Sequence, residues 1–588
     1  MKRLIVATLY ALSCLSSVCA WAQADSEAAL AAVLADHERL ARHMYPISAG
    51  REGDREALHR WPDVSPRGQD EARERLRDLR RRLERIDASG LSPASALNHR
   101  LLVRAIDQTL DHSSHDPERL AFRSDSGFHT TPDYVARTTT ISTREEAEAW
   151  LARLEALPGY YRQNIENLRR GIRTRVTQPR IVVERVLEVA RKQAQTEPQR
   201  SVFLMPIARA TSLNGAAREA HRTKALQLIE ARVRPVQREF VQFLEREYLP
   251  AARKHLGIRS VPGGEAMYRA LVRYETTTDL SPDEVHALGL GEVARIRALM
   301  EECMRKSGFD GTFAEFLQML RTDPRFYAKT PQELLEKASE IAKRADDRLP
   351  PLFGTLPRLP YGVRPVPDEI AEGYTTGRYW LGSMANGQAG GYMVNTSHLD
   401  QRPLYELPAL TLHEAVPGHH LQIALAQELG DLPYFRRHWS LTAFVEGWGL
   451  YAEMLGEEMG MYRDAYELFG RYSYEMWRAC RLVADTGIHW LGWDIERARA
   501  CFTENSALAP HNIQTELERY ISWPAQALAY KVGELRLRTL REEAQQRLGE
   551  RFDIRAFHDL ILLGGPIPLD VLEERVKDWI DRGGAHAG

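Results

Sequence analysis

Six prolines fall between Pro350 and Pro367, and six glycines follow between Gly373 and Gly391. Proline removes a backbone donor and clashes with the preceding helical turn, so no helix can run through this stretch. On either side the pattern is helical. From about Asp25 to Glu340, apolar residues return at three- and four-residue intervals, as at Trp150, Leu154 and Leu157. Helix-start pairs recur there: Ser142 with Glu145, Ser281-Pro282 with Glu284, Thr312 with Glu315, and Thr330-Pro331 with Glu333. Pro158-Gly159 is expected to break one of these helices. From Leu404 onward the pattern is helical again, apart from a loop near Ala507 to Asn512 and a turn at 564–568. Inside the break, Tyr379 to Leu381 and Gly391 to Thr396 read as short strands. The expected fold is therefore mainly α, with a small β-sheet, an N-terminal helical region over 25–345 and a second region over 346–588.

Just after the break stands His413-Glu414-Ala415-Val416-Pro417-Gly418-His419-His420. In the zinc signature H-E-x-x-H, two histidines one helical turn apart chelate the ion and the glutamate polarises the attacking water. Here the fourth position after His413 is Pro417. On a regular helix of about 3.6 residues per turn, His419 lies about 120° from His413, and His420 sits roughly 10 Å along the axis. Neither can share an ion with His413 at Zn–N distances of about 2.0–2.1 Å unless the backbone departs from the helix. Val416-Pro417-Gly418 is suited to that departure. A two-residue bulge brings His419 to the ligand position and a three-residue bulge brings His420; the first is preferred, with His420 as the alternate metal ligand.

Two imidazoles leave a catalytic zinc site one protein ligand short. Glu446, in the apolar and aromatic run Phe444 to Glu453, is the best candidate, because an unpaired carboxylate in such a setting is costly. Glu453, two turns further on the same face, is placed to orient a ligand histidine.

At the N-terminus, Lys2 and Arg3 precede an uncharged, mostly apolar stretch from Leu4 to Ala20, with small residues at Ala20, Ala22 and Ala24. This reads as an export signal over 1–24, cleaved after Ala22 or Ala24, which places the protein in the periplasm or outside the cell. A lipid anchor on Cys14 or Cys19 is the less favoured alternative. No other uncharged apolar run is long enough to span a bilayer, so no stable membrane insertion is expected after cleavage. Cys303, Cys480 and Cys501 are too few for a disulfide framework, though the last two can pair in an oxidising compartment. A net charge of −2 and a pI near 6.9 give no basis for a nucleic-acid partner.

His413 to Gln422 (HEAVPGHHLQ) followed by Phe444 to Glu453 (FVEGWGLYAE) resembles the bacterial DUF885 family. That family is itself similar to gluzincin peptidases of the thimet-oligopeptidase, angiotensin-converting-enzyme and carboxypeptidase-Taq kind. Gly391 to Thr396, Asp485 to His489, Arg519-Tyr520 through Trp523-Pro524, and Gln526 to Tyr530 match as well. The resemblance spans roughly 30–580, with its specific motifs between 390 and 532. It implies a large helical zincin-like fold with a cleft between helical halves and the sheet beside the metal helix. It also favours His419 as second ligand, because a glycine commonly precedes that residue in related peptidases, as Gly418 does here.

The implied function is Zn²⁺-dependent hydrolysis of short peptides, of carboxypeptidase or oligopeptidase type. Glu414 is the expected base, His413, His419 and Glu446 the ligands, and Tyr530 and His489 the oxyanion donors. Arg481 is a candidate for binding a substrate carboxylate, in competition with a structural Arg481–Asp485 pair. Tyr392 and Asn395 are substrate-binding candidates on a strand that could hold an extended peptide by main-chain hydrogen bonds. A binding protein that keeps the fold and metal without hydrolysis is the alternative, and Glu414 argues against it.

Overall fold

The computed structural model describes residues 24–584, apart from Gly373, Ala385, Asn386 and Asp431. The expected export signal lies outside these residues except for Ala24. The chain divides into two compact units, Met1–Lys254 with Pro433–His438, and His255–Leu432 with Trp439–Gly588. The described residues are mainly helical, with one three-stranded sheet.

The first unit is helical throughout its long elements. Its longest helix, α1 (Arg144–Thr174), is started by a capping box between Thr143 and Glu146, one residue later than the sequence pairing implied. It also runs unbroken through Pro158, so the expected break there is corrected. Leu154 and Leu157 are fully buried before the proline, as are Tyr161 and Leu168 after it. That continuous buried face outweighs the roughly 3 kcal/mol a mid-helix proline costs. Phe128, Tyr161 and Phe240 form the aromatic centre of this unit, with ring centroids 4.8–6.1 Å apart.

The second unit is built on α2 (Pro282–Lys306), α3 (Pro331–Asp347), α4 (Leu407–Glu414), α5 (His419–Glu428), α6 (Thr442–Glu458), α7 (Ala465–His489), α8 (Pro510–Ser522) and α9 (Ala529–Leu548). Helix α7 is buried on all sides from Phe469 to His489, as befits the central element of a large core. Its charged residues are paired within that core. Glu475 meets Arg471, Arg295 and the fully buried Lys531, whose Nζ also lies 2.8 Å from Glu534 and 2.9 Å from Glu292. Such a network is tolerated only because each charge has partners. A disulfide joins Cys480 on α7 to Cys501.

The proline-rich segment ends in the sheet, β1 (Tyr361–Pro365), β2 (Gly377–Trp380) and β3 (Gly390–Val394), in the order β1-β3-β2. β1 was not legible as a strand in the sequence. β3 is central and buried throughout, parallel to β1 and antiparallel to β2, with Arg378 opposite Met393 and Tyr379 opposite Tyr392. The side of β2 away from β3 is a free edge, and it faces the end of α4.

Candidate metal centre

α4 stops at Glu414, the Val416–Pro417 peptide is cis, and α5 begins at His419. The expected bulge is thus a complete break between two helices. A Cβ on Gly418 would strike the carbonyl oxygens of Leu412 and His413, so the chain can double back this tightly only with glycine there. The break swings the start of α5 beside the end of α4, and the rings of His413 and His419 meet edge to face with centroids 4.6 Å apart.

His413, His419 and Glu446 each offer one donor atom, and these atoms lie within 4.8 Å of one another. Glu446 Oε2 is 3.4 Å from Nε2 of both histidines. Two donors held about 2.0–2.1 Å from one ion at the tetrahedral angle stand roughly 3.4 Å apart. Glu446 therefore stands from each histidine at the distance that two ligands of one zinc ion keep, and the donor set has the chemistry of such a site. His420 is placed differently. Its Nδ1 lies 3.0 Å from the Tyr379 hydroxyl, its ring packs 4.5 Å from that of Tyr361, and burial lowers its pKa to about 4. It supports the sheet and is not the second ligand candidate.

The surrounding charge is strongly negative. Burial pushes Glu446 upward, but His419 and His413 outweigh it and hold the carboxyl well below the usual range. Burial likewise disfavours a charged His413, yet Glu446, Glu453 and Glu414 raise its pKa to about 9. Glu453 Oε1 accepts from His413 Nδ1 at 2.8 Å, which directs Nε2 towards Glu446 and His419. Arg478 stands 3.5 Å behind the same carboxylate oxygen. Glu414 is buried beside the cluster, and its Oε2 accepts the outward N–H of Tyr379 on the free edge of β2 at 2.7 Å.

Tyr530 opens α9 and is half-buried. Its phenol is raised by burial and by the nearby Glu446, and its ring lies 4.3 Å from the Arg481 guanidinium. No hydrogen bond claims its hydroxyl among the described residues. The crossing of α6 and α9 brings it here: a Cβ on Gly447 would come within 2.6 Å of Gly533 Cα, so the two glycines let the backbones touch.

Four expected site residues are placed elsewhere or in other roles. His489 accepts the Ile258 N–H at Nδ1 (3.0 Å) and donates from Nε2 to the Tyr520 carbonyl (2.9 Å), so it has no N–H left for an oxyanion. Asn395 is fully buried, where its amide donates to the carbonyls of Ala371, Tyr374 and Thr375 and shapes the turn before β2. Tyr392 is buried under α4, its hydroxyl accepting from Thr411. Arg481 donates to Tyr520 (2.8 Å) and Glu516 (3.1 Å) and not to Asp485, which instead accepts from Tyr268 and from the Ala525 N–H. Being 4 % exposed, Arg481 supports the Tyr530 ring and does not offer a surface to a substrate.

Three contributors escaped the sequence reading. Tyr379 acts through its backbone, which no side-chain pattern reveals. Gly449 leaves the space that the His413 ring occupies, and its spacing three residues after Glu446 was a readable signal. Arg378 is exposed on β2; burial of its inner end is outweighed by Tyr374, Glu414, Tyr530 and Glu446, which raise its pKa and mark it as a cation facing the cluster.

A crystal structure described as that of "the putative lipoprotein from Colwellia psychrerythraea" superposes with a TM-score of 0.88 at 27 % identity, covering 95 % of this chain and 99 % of that one. A second, of "a putative lipoprotein of unknown function from Shewanella oneidensis", shares the fold at a TM-score of 0.71 and 16 % identity, covering 93 % and 98 %. No curated protein matches the chain in sequence. The family model described as "Bacterial protein of unknown function (DUF885)" matches residues 46–576, and the chain belongs to that family.

Proposed function

We propose that the protein is an exported, zinc-dependent peptidase acting on short peptides. The observation that carries this reading is the convergence of His413, His419 and Glu446, their donor atoms within 4.8 Å of one another and Glu446 3.4 Å from each histidine, with the Glu414 carboxylate pinned beside them. A purely structural zinc site needs no such second carboxylate, and structural sites are usually closed by four protein ligands.

His413, His419 and Glu446 would hold the ion. When bound, Zn²⁺ supplies Lewis acidity, which lowers the pKa of a coordinated water and polarises a scissile carbonyl. Glu414 accepts the proton of the attacking water and delivers it to the leaving amine. The Tyr379 N–H keeps that carboxylate in one orientation throughout. The Tyr530 hydroxyl, uncommitted among the described residues, donates to the oxygen on which negative charge develops. The outward backbone groups of β2 other than the Tyr379 N–H hold an extended peptide by main-chain pairing next to Glu414.

Export rests on the basic start and apolar run before Ala24, and it agrees with the lipoprotein description of the Colwellia protein. Among the described residues no helix is long and apolar enough to cross a membrane.

The test is metal analysis of the purified protein together with cleavage of a peptide library, read by mass spectrometry, for wild type and Glu414→Gln. The expected result is zinc bound by both proteins and turnover by the wild type alone, with a loss of at least about 10²-fold in the variant. Equal turnover in the variant removes Glu414 as the base, and a wild type that binds no metal removes the proposal.

A further inference from the structure

Apart from the His413 cluster, the second unit holds a cavity of about 270 Å³ walled by Arg321, Arg402, Glu406, Tyr474, Trp477 and Leu508. Its polar lining is incomplete. The Arg402 side chain makes no hydrogen bond or ion pair among the described residues, and its buried Nε has no partner. Glu406 is 6 % exposed, and its buried Oε1 is likewise unpaired. Arg321 gives Nη2 to the Ser506 carbonyl at 2.6 Å but leaves its Nε unmatched. A buried polar group left in this state costs about 1–3 kcal/mol, more when charged. Native proteins carry few of them, and the Arg402 guanidinium on the cavity wall, with no side-chain partner among the described residues, calls for a ligand that supplies one.

Charge selects the ligand. Burial lowers the pKa of Arg402 and of Arg321, yet a guanidinium remains protonated in proteins. Burial pushes Glu406 up to about 8, against the pull of Arg402, Arg478 and Arg321, so near neutral pH it mostly carries an O–H and does not neutralise the arginines. Asp400 lies at the exposed rim and forms no ion pair with Arg402 among the described residues. The cavity thus offers donors without matching acceptors, which suits a carboxylate. Tyr474, Trp477 and Leu508 provide an apolar wall. The volume lies below the range of about 300–1,000 Å³ typical of drug-sized ligands, and so fits something nearer one amino-acid residue.

We infer that this cavity binds a small monocarboxylate with an apolar body, an amino-acid residue either free or at the C-terminus of a peptide, with Arg402 pairing its carboxylate and Glu406 donating a second hydrogen bond. The inference does not depend on peptide hydrolysis. It does place the ligand beside Thr376, which lines the cavity and immediately precedes β2, the strand that pins Glu414.

Isothermal calorimetry on the purified full-length protein tests it, with phenylalanine, N-acetylphenylalanine, glycyl-phenylalanine and the C-terminal amides of each as probes. The acids should bind, and the amides should bind at least about tenfold more weakly, as expected for loss of a charged hydrogen bond. Preference for phenylalanine identifies the free amino acid as the ligand, and preference for the acylated and dipeptide forms identifies a peptide terminus. Arg402→Met should abolish the acid preference while melting no lower than wild type, because it removes an unpaired charge. Equal binding of acids and amides overturns the inference, as does no heat from any probe. Acid binding that survives Arg402→Met also overturns it, since the carboxylate is then held elsewhere, for example at the His413 cluster. Should Arg402→Met fail to fold, the acid-against-amide comparison is repeated with Arg402→Gln.

Discussion

Gly449→Ala tests the candidate metal centre without touching any proposed ligand. A Cβ at this position would lie 2.7 Å from Cε1 and 2.9 Å from Nε2 of His413, where ordinary contact begins at 3.4 Å. The ring must therefore yield by about 0.7 Å, and close packing on the far side leaves little room for it. Glu453, on the same face of α6 as Gly449, holds Nδ1 at 2.8 Å, so a ring pushed away from α6 must also stretch that hydrogen bond. Metal sites tolerate displacements of about 0.2 Å in a ligand distance, so His413, His419 and Glu446 should no longer converge. The expected loss is about 10- to 100-fold or more in zinc affinity, comparable to removing a group that orients a ligand. The overpacking itself should cost about 1–3 kcal/mol of stability. Competition with a chromophoric chelator reads the affinity, and thermal melting by circular dichroism shows that the variant is folded. A folded variant with wild-type zinc affinity would refute the assignment of His413 as a ligand.

Tyr530→Phe should lower kcat by about 10²–10³-fold with zinc content unchanged, measured on the best peptide from the library; an unchanged kcat removes the hydroxyl from the mechanism. Adding a chelator to zinc-loaded protein should lower the unfolding midpoint, because a ligand at 100 times its Kd stabilises by about 2.7 kcal/mol; an identical melt with and without chelator contradicts a resident ion. Glu406, pushed up to about 8 by burial, keeps in the folded state a proton that the unfolded chain has lost above its ordinary carboxyl pKa. Stability should therefore fall as pH rises from about 5 to 8, by an amount on the order of a few kcal/mol. Glu406→Gln should flatten that part of the profile in denaturant titrations, and an unaltered slope would show that Glu406 is ionised in the native protein.

Legibility in the sequence followed range. Local signals read well: Ser281 with Glu284 and Thr312 with Glu315 form the capping boxes their spacing implied. The proline and glycine run does interrupt the helices, and two of its three strands fall where extended runs were read. The failures occur where tertiary packing overrides local preference. Pro158 sits inside a helix because both flanks of α1 bury their apolar face. His489 and Asn395 carry site-like chemistry in their side chains, but both are spent on backbone groups of distant segments. The choice between His419 and His420 turned on the dihedral path through Val416 to Gly418, which spacing alone left with two solutions. Arg402 and Glu406 gave no local signal, because their lack of partners is a property of what the fold places around them.

The break between α4 and α5 raises a problem of its own, since ending a helix in a buried region strands backbone groups. Here two carbonyls of the break are satisfied: the Ala415 oxygen accepts the His420 N–H at 3.0 Å, and the Pro417 oxygen accepts Trp448 Nε1 at 2.8 Å. Pro417 itself has no N–H to satisfy. Trp448 belongs to the same turn of α6 as Glu446, and this accounts for the density of unusual residues in that helix. At 100° per residue, Glu446, Gly449 and Glu453 share one face; the first supplies a donor, the second admits the His413 ring, and the third orients it. Gly447 faces away, against Gly533 of α9, and so brings up Tyr530. Trp448 points to a third side, where it closes the break that makes His419 available. Each face of one helical turn thus answers a separate geometric demand of the same centre. A change on one face therefore reaches the others through the position of α6, so the proposed ligand triad, the broken helix and Tyr530 are set as one unit.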